Sequence, residues 1–257
     1  MPASLTVHAG ALYGFLLVLA RVSGALAFVP FPGFTASGGP ARAVFSLAFT
    51  MALFPFWPSI RDAEAGPFTL AGWAAAEAVA GIAIGVSVAI VLEAFLLAGQ
   101  VLGLQAGYAY AQTVDPNTQA DSGILLVFAQ LAAGLCFFAL GLDREVLRLF
   151  ALSLRRVPPG AYVFGPQSAE PLIRLASSLF AVGVRLALPV VALLVMVDVA
   201  LALLGRLNSQ LQLLSLAFPI KMLVALLVLS WIAVLFPRML RDFSVLAFAT
   251  AQRMLGL

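Results

Sequence analysis

Six apolar stretches, Leu5 to Val29, Ala41 to Trp57, Leu70 to Ala98, Ile124 to Leu142, Leu179 to Leu204 and Leu211 to Phe236, account for most of this chain. Each approaches the roughly 20 residues that carry a helix across a hydrocarbon core, the second being the shortest. In such surroundings a backbone N–H or C=O must find its partner within its own segment, so the chain has little choice but helices joined by turns. Prolines fall in the gaps, among them Pro30, Pro58, Pro116 and Pro158, where a missing N–H is tolerated. The expected fold class is therefore all-α: a single domain of membrane-type helical hairpins.

Composition agrees. Apolar residues make up 63% of the chain and charged residues 10%, and the mean hydropathy is +1.09, which removes an ordinary water-soluble domain from consideration. The net charge of +3 comes from scattered arginines without a basic block, so nucleic acid is not an expected partner. The single cysteine, Cys136, lies in an apolar run and cannot form an internal disulfide. No cationic stretch precedes the first apolar run, and Arg21 sits inside it, which argues against a cleaved signal peptide. If all six segments cross a membrane, Arg61, Arg144, Arg148, Arg155, Arg156, Arg174, Arg238, Arg241 and Arg253 share a side that Arg42 and Arg206 do not, and the positive-inside rule puts both termini in the cytoplasm. From Asp143 to Arg156 charged and apolar residues alternate at helical spacing, the pattern of an amphipathic helix that lies at the membrane interface, against a partner, or with one face in water.

Within the apolar segments stand Arg21, Glu77, Glu93, Arg185, Asp198 and Lys221. Each is costly in hydrocarbon unless it faces protein or water. They read either as structural charges buried in an oligomer or as a proton or ion relay.

The densest signal runs from Gly99 to Asp121. Gly99, Gly103 and Gly107 recur every four residues, with Gly81 and Gly85 upstream, a spacing that lets another backbone approach one face of a helix. Gln100, Gln105 and Gln112 and the aromatics Tyr108 and Tyr110 interleave with this ridge, which Asp115 and Pro116 end. Such a segment is too polar for lipid and too apolar for bulk water. It suits a pore-facing constriction; plain helix packing followed by a turn is the alternative.

His8 is the only histidine, so neither a Ser-His-Asp arrangement nor a multi-histidine metal site can be assembled. No Gly-rich phosphate loop follows a strand, and the carboxylates are dispersed. No enzyme activity, cofactor or metal is expected.

Several segments taken together resemble the family of flagellar biosynthetic protein FliR, a subunit of the type III export gate, and its injectisome counterpart. The residues that carry the likeness are Arg21-Val22-Ser23-Gly24, Pro40-Ala41-Arg42, Gly99-Gln100 with Gly103, Gln105 and Gly107 leading into Asp115-Pro116, Arg185-Leu186-Ala187-Leu188-Pro189, and Ala217-Phe218-Pro219-Ile220-Lys221. The ordered set covers nearly the whole chain. The resemblance implies a non-enzymatic subunit of the bacterial inner membrane and flagellar basal body. It would join FliP-like and FliQ-like subunits, and other membrane proteins of the export apparatus, in a closed conduit for unfolded protein substrates. It further implies a FliP-like part over residues 1–176 and a FliQ-like hairpin over 177–257, with Phe218, Pro219 and Lys221 in the packing of that hairpin. Tyr108, Tyr110, Thr113, Asp115 and Pro116 fall where the family closes its pore. Thr113 departs from an aromatic residue often found there, and Leu140-Gly141-Leu142-Asp143 replaces a frequent Asn-Gly-His. Two rivals come from other classes. A secondary transporter needs inverted repeats with matching broken helices, and the halves look dissimilar; an intramembrane enzyme needs a catalytic pair among Glu77, Glu93 and Asp198.

Overall fold

The computed structural model describes residues 9–29, 34–57, 66–108, 124–158, 160–162, 165–207 and 213–257. Among them every regular element is helical: α1 (Ala9–Phe28), α2 (Phe34–Ala52), α3 (Pro67–Gln105), α4 (Ile124–Ala139), α5 (Leu142–Arg156), α6 (Pro166–Leu207), α7 (Leu213–Ile232) and α8 (Phe236–Met254), with short 3-10 turns at Phe54–Phe56 and Ala233–Leu235. The described parts of all six apolar stretches are carried by helices. The all-α, membrane-type fold thus stands.

The number of candidate crossings is lower than six. Among the described residues four helical stretches are long and apolar enough to cross a bilayer, Gly10–Phe28, Pro67–Gln105, Ala169–Leu207 and Ala217–Met254, or five if α4 and α5 count as one broken span. The second stretch drops out because α2 opens on Thr35, Ser37, Gly38 and Gly39 and carries Pro40 and Arg42, which dilute its apolar half. The allocation of arginines to two sides assumed six crossings, more than the four or five that the described helices supply by length and composition. Two of the helices are also far longer than one crossing needs. At 39 residues for α3 and 42 for α6, their contours reach about 58 and 63 Å at 1.5 Å per residue, against a hydrocarbon thickness of about 30 Å.

The chain forms two compact units. Residues 1–90, 141–176 and 244–257 make the first, which holds α1, α2, the opening of α3, α5 and the end of α8. The amphipathic pattern predicted over Asp143 to Arg156 is α5. Its apolar residues Leu142, Val146, Leu149, Phe150 and Leu154 are buried and its charged residues Arg144, Glu145, Arg148, Arg155 and Arg156 are exposed. Phe150 meets the edge of Phe49 on α2 at 5.6 Å between ring centroids. Most of the apolar face of α5 is thus covered by this chain, while these charged residues and Leu147 remain exposed.

The second unit, residues 91–140 and 177–243, takes the rest of α3, α4, most of α6, α7 and the start of α8. Gly99 packs against Ala129 while Gly103 lies beside Leu125, so α3 and α4 run antiparallel. Gly183 of α6 meets the carbonyl of Ala94 and the side chain of Leu97, and Asp198 farther along α6 meets Gln105, so α3 and α6 run the same way. Small residues such as Ala98, Gly99, Ala129 and Ala133 leave an apolar cleft among these helices. The share of side chains buried in the most apolar window of each helix separates their roles: 67% for α3 against 22% for α6 and 17% for the α7–α8 stretch. α3 is covered by its own chain, whereas the α6–α7 hairpin turns most of its apolar surface outward.

Candidate functional site

Two polar clusters are set into these apolar helices. The first lies in the first unit. Arg21 on α1 and Glu77 on α3 are both fully buried, and Arg21 Nε donates to Glu77 Oε2 at 2.5 Å. The remaining donors of the guanidinium reach α5: Nη1 donates to Ser153 Oγ at 3.2 Å and Nη2 to the carbonyl of Val157 at 3.1 Å. The other oxygen of Glu77 accepts from the N–H of Gly160 at 2.9 Å. An ion pair taken out of water is tolerable only when its leftover donors and acceptors are satisfied in this way. The cluster ties α1, α3 and α5 with the turn after α5. The described hydrogen bonds of the guanidinium and the carboxylate all go to protein groups of α1, α3, α5 and the turn after α5, as a structural tie requires. Gly160 has φ +93°, and a Cβ placed on it would come within 3.2 Å of the Trp73 ring.

Beside this pair α1 and α3 approach as bare backbone. A Cβ added at Gly24 would lie 2.5 Å from the carbonyl oxygen of Ala78, and side chains at Gly81 and Gly85 would run into the carbonyls of Arg21 and Ala25. The small-residue seam expected on α3 is therefore tightest at Gly81 and Gly85 and less so downstream. At Gly99 a Cβ would sit 2.6 Å from that of Ala129, but at Gly103 it would meet only Leu125, at an ordinary 3.9 Å. Gly107 does not belong to the helix face at all. α3 ends at Gln105, and Gly107, with φ +85°, is the left-handed residue that stops it, its N–H donating to the carbonyl of Leu104 at 3.2 Å.

The second cluster is in the second unit, where α3 ends. Lys221 Nζ on α7 and Asp198 Oδ1 on α6 are 2.8 Å apart, and Gln105 Nε2 on α3 donates to Asp198 Oδ2 at 3.3 Å. One turn back along α7 the ring of Phe218 is seated against Gly107, where an added Cβ would come within 2.6 Å of it. Pro219 between them removes the N–H that would otherwise bond the carbonyl of Ser215. Lys221 keeps 14% of its side chain exposed and Asp198 42%. Tyr108, half-buried just beyond the helix, has its phenol pushed above its ordinary pKa by burial, so it is uncharged at neutral pH.

Of the charges expected to be hidden, Arg21 and Glu77 are buried and Asp198 is partly covered, but Glu93 and Arg185 are exposed on this chain. The reason is helical phase. Glu93, Gln100 and Leu104 are spaced by seven and four residues and form one outward stripe on α3, while their neighbours Leu92, Ala94 and Phe95 point inward. Arg185 lies on the outward side of α6, beside Val184 and Leu188. Tyr110, Thr113, Asp115 and Pro116 lie outside the described residues. Ser153, Val157 and Gly160 escaped sequence reasoning. Val157 and Gly160 contribute only backbone groups, which no side-chain pattern can flag.

Long apolar helices with ion pairs held against protein define a polytopic, helical membrane protein. Comparison with known families then places it: the chain belongs to the bacterial export proteins, family 1, whose profile matches residues 12–245. It is 29% identical over 189 residues to the flagellar biosynthetic protein FliR of Escherichia coli (strain K12), covering 73% of this chain and 72% of that one. The FliR protein of Bacillus subtilis (strain 168) is 28% identical over 225 residues, 84% of each chain. That of Caulobacter vibrioides is 26% identical over 222 residues, 85% of this chain and 87% of the relative.

Proposed function

We propose that this chain is a non-catalytic subunit of the flagellar type III export gate in the bacterial inner membrane. Together with FliP-like and FliQ-like neighbours and other membrane components of the apparatus, it forms the closed conduit for unfolded flagellar substrates. Membership of an export family and likeness to relatives named for flagellar biosynthesis support the flagellar setting over an injectisome. The observation that carries the assembly reading is the α6–α7 hairpin, which leaves most of its apolar surface uncovered, together with Glu93 and Arg185 on outward helix faces. Hydrocarbon would accept the apolar side chains but not the two charges, whereas a neighbouring polypeptide can accept both. In this reading residues 1–176 act as the FliP-like part and 177–257 as the FliQ-like hairpin, so one molecule joins both kinds of neighbour. The segment from Tyr108 to Asp121 keeps the channel shut at rest, with Tyr110 supplying bulk.

The test has two arms. The chain purified from a flagellated host should bring FliP-like and FliQ-like subunits with it, and its deletion should stop secretion of flagellar proteins. A monomer that purifies without companions, in cells that export normally when it is deleted, refutes the proposal. In the assembled complex Tyr110→Ala should raise ion conductance at rest; a channel as tight as the unaltered one removes Tyr110 from the closing segment.

A further inference from the structure

The second unit holds a slot that its own side chains leave unfilled. It is walled by α3, α4, α6 and the α7–α8 stretch and encloses about 590 Å³ of space outside the chain's atoms, its open mouth included. Small residues on facing helices, Ala98 and Gly99 on α3 and Ala129, Ala132 and Ala133 on α4, keep it open. Its floor is deep, since Leu102, Leu125, Leu186 and Val190 are all buried. Its mouth lies along α4 and α7, where Phe128 is exposed and Ala132, Cys136 and Ile232 are half-buried. The Phe95 and Phe236 rings, edge to face at 6.1 Å, stand at the end nearer Cys136, because α3 and α4 run antiparallel.

Lining and length together select the occupant. The lining presents no hydrogen-bonding side chain other than the Cys136 thiol, whereas a buried water needs several polar partners to stay. Left empty, the walls forfeit dispersion contacts. Along α4 the lining runs from Leu125 to Cys136, about 16 Å at 1.5 Å per residue. That is about half of the roughly 30 Å hydrocarbon core, the depth of one leaflet's tails. Divided by that length, the volume leaves a cross-section of roughly 36 Å², against roughly 80–110 Å² for a helix about 10–12 Å across. A neighbouring helix is too wide for the slot and a neighbouring side chain too short. We propose that it binds one acyl tail of a membrane phospholipid, which fills the space between α4 and the α6–α7 hairpin as a side chain fills a close-packed core. Such binding needs only hydrocarbon surroundings and is independent of the role in export.

Cys136 is the only cysteine in the chain, so its alkylation by N-ethylmaleimide reports on the slot without further labelling. The full-length chain is stripped of lipid in a fluorinated surfactant, whose tails mix poorly with hydrocarbon, and dioleoyl phosphatidylethanolamine is then added. At about ten times the half-saturating concentration, alkylation of Cys136 should slow about tenfold, the factor that mass action gives when only the empty slot reacts. Glycerophosphoethanolamine, the same headgroup without tails, should leave the rate unchanged. General shielding is measured with Leu135→Cys in a Cys136→Ala chain. Leu135 faces outward and is 72% exposed, so the new thiol should react equally fast with and without phospholipid. Ala132→Phe puts a ring into the mouth one turn before Cys136 and should abolish the response to phospholipid. Equal rates at Cys136 with and without phospholipid overturn the proposal, as does equal slowing at position 135 or a folded Ala132→Phe chain that still responds. Protection that phospholipid does not give, but that arises in the lipid-stripped complex with its membrane partners, assigns the slot to a polypeptide and overturns it too. If Ala132→Phe does not fold, the comparison of positions 135 and 136 decides alone.

Discussion

Arg21 and Glu77, 56 positions apart in sequence, meet at 2.5 Å with neither side chain exposed to solvent. Removing one partner strands the other in a place where no water can compensate. Arg21→Leu or Glu77→Leu alone should cost about 3–5 kcal/mol, whereas the double replacement by apolar residues should cost markedly less than the two singles added together. Thermal unfolding of the four proteins in detergent measures the cycle. Additive losses would show that the pair is not coupled.

The glycine seam makes a graded prediction. Gly81→Ala forces α1 and α3 apart, because the new methyl group runs into the carbonyl of Arg21, and should cost about 1–3 kcal/mol. Gly103→Ala meets only Leu125 at 3.9 Å and should stay within about 0.5 kcal/mol of the unaltered protein. The same unfolding measurement ranks them, and the reverse order contradicts the packing described.

At Gly107 two penalties coincide, a left-handed backbone and the ring of Phe218. Gly107→Ala should lose about 1–2 kcal/mol from backbone strain alone, plus the clash. Adding Phe218→Ala should relieve the clash but not the strain, so the double variant falls short of the summed losses. Equal destabilisation by Gly107→Ala in the presence and absence of the ring would show that Phe218 exerts no pressure there.

Glu93 and Arg185 face outward, so their replacement should spare the isolated chain and injure the complex. Glu93→Leu and Arg185→Leu should each change chain stability by no more than about 0.5 kcal/mol and lower recovery of the complex several-fold. Quantified co-purification with membrane partners reads this directly. Full recovery of both variants would mean that these charges meet no neighbour.

The sequence made the helices legible because hydrocarbon leaves the backbone so few options: the described parts of all six apolar stretches are carried by helices. It also marked α5 through its charge periodicity. What it left open was phase and partner. Arg21, Glu77, Glu93 and Arg185 look alike as isolated charges in apolar runs, yet the first two are paired and buried and the last two are exposed. The difference lies in which side of the helix each occupies relative to distant segments, and in a uniformly apolar helix such as α3 polar periodicity is absent and cannot reveal it. Gly107 misled for a related reason: spacing by four suggests a shared helix face, but nothing in that spacing announces that the helix stops at Gln105. The Asp198–Lys221 tie was half visible, since both charges lie in the hairpin, while its extension to Gln105 depended on how α3 ends.

The outward stripe of Glu93 and Gln100 on α3 bears on how a cell must ration this protein. Under the assembly reading, a copy made without neighbours would leave the Glu93 carboxylate uncovered, a costly arrangement wherever that face meets acyl chains. Such a copy should be shorter-lived than one held in a complex. Its half-life in a strain without the proposed companions would therefore gauge how much of that stripe they hide.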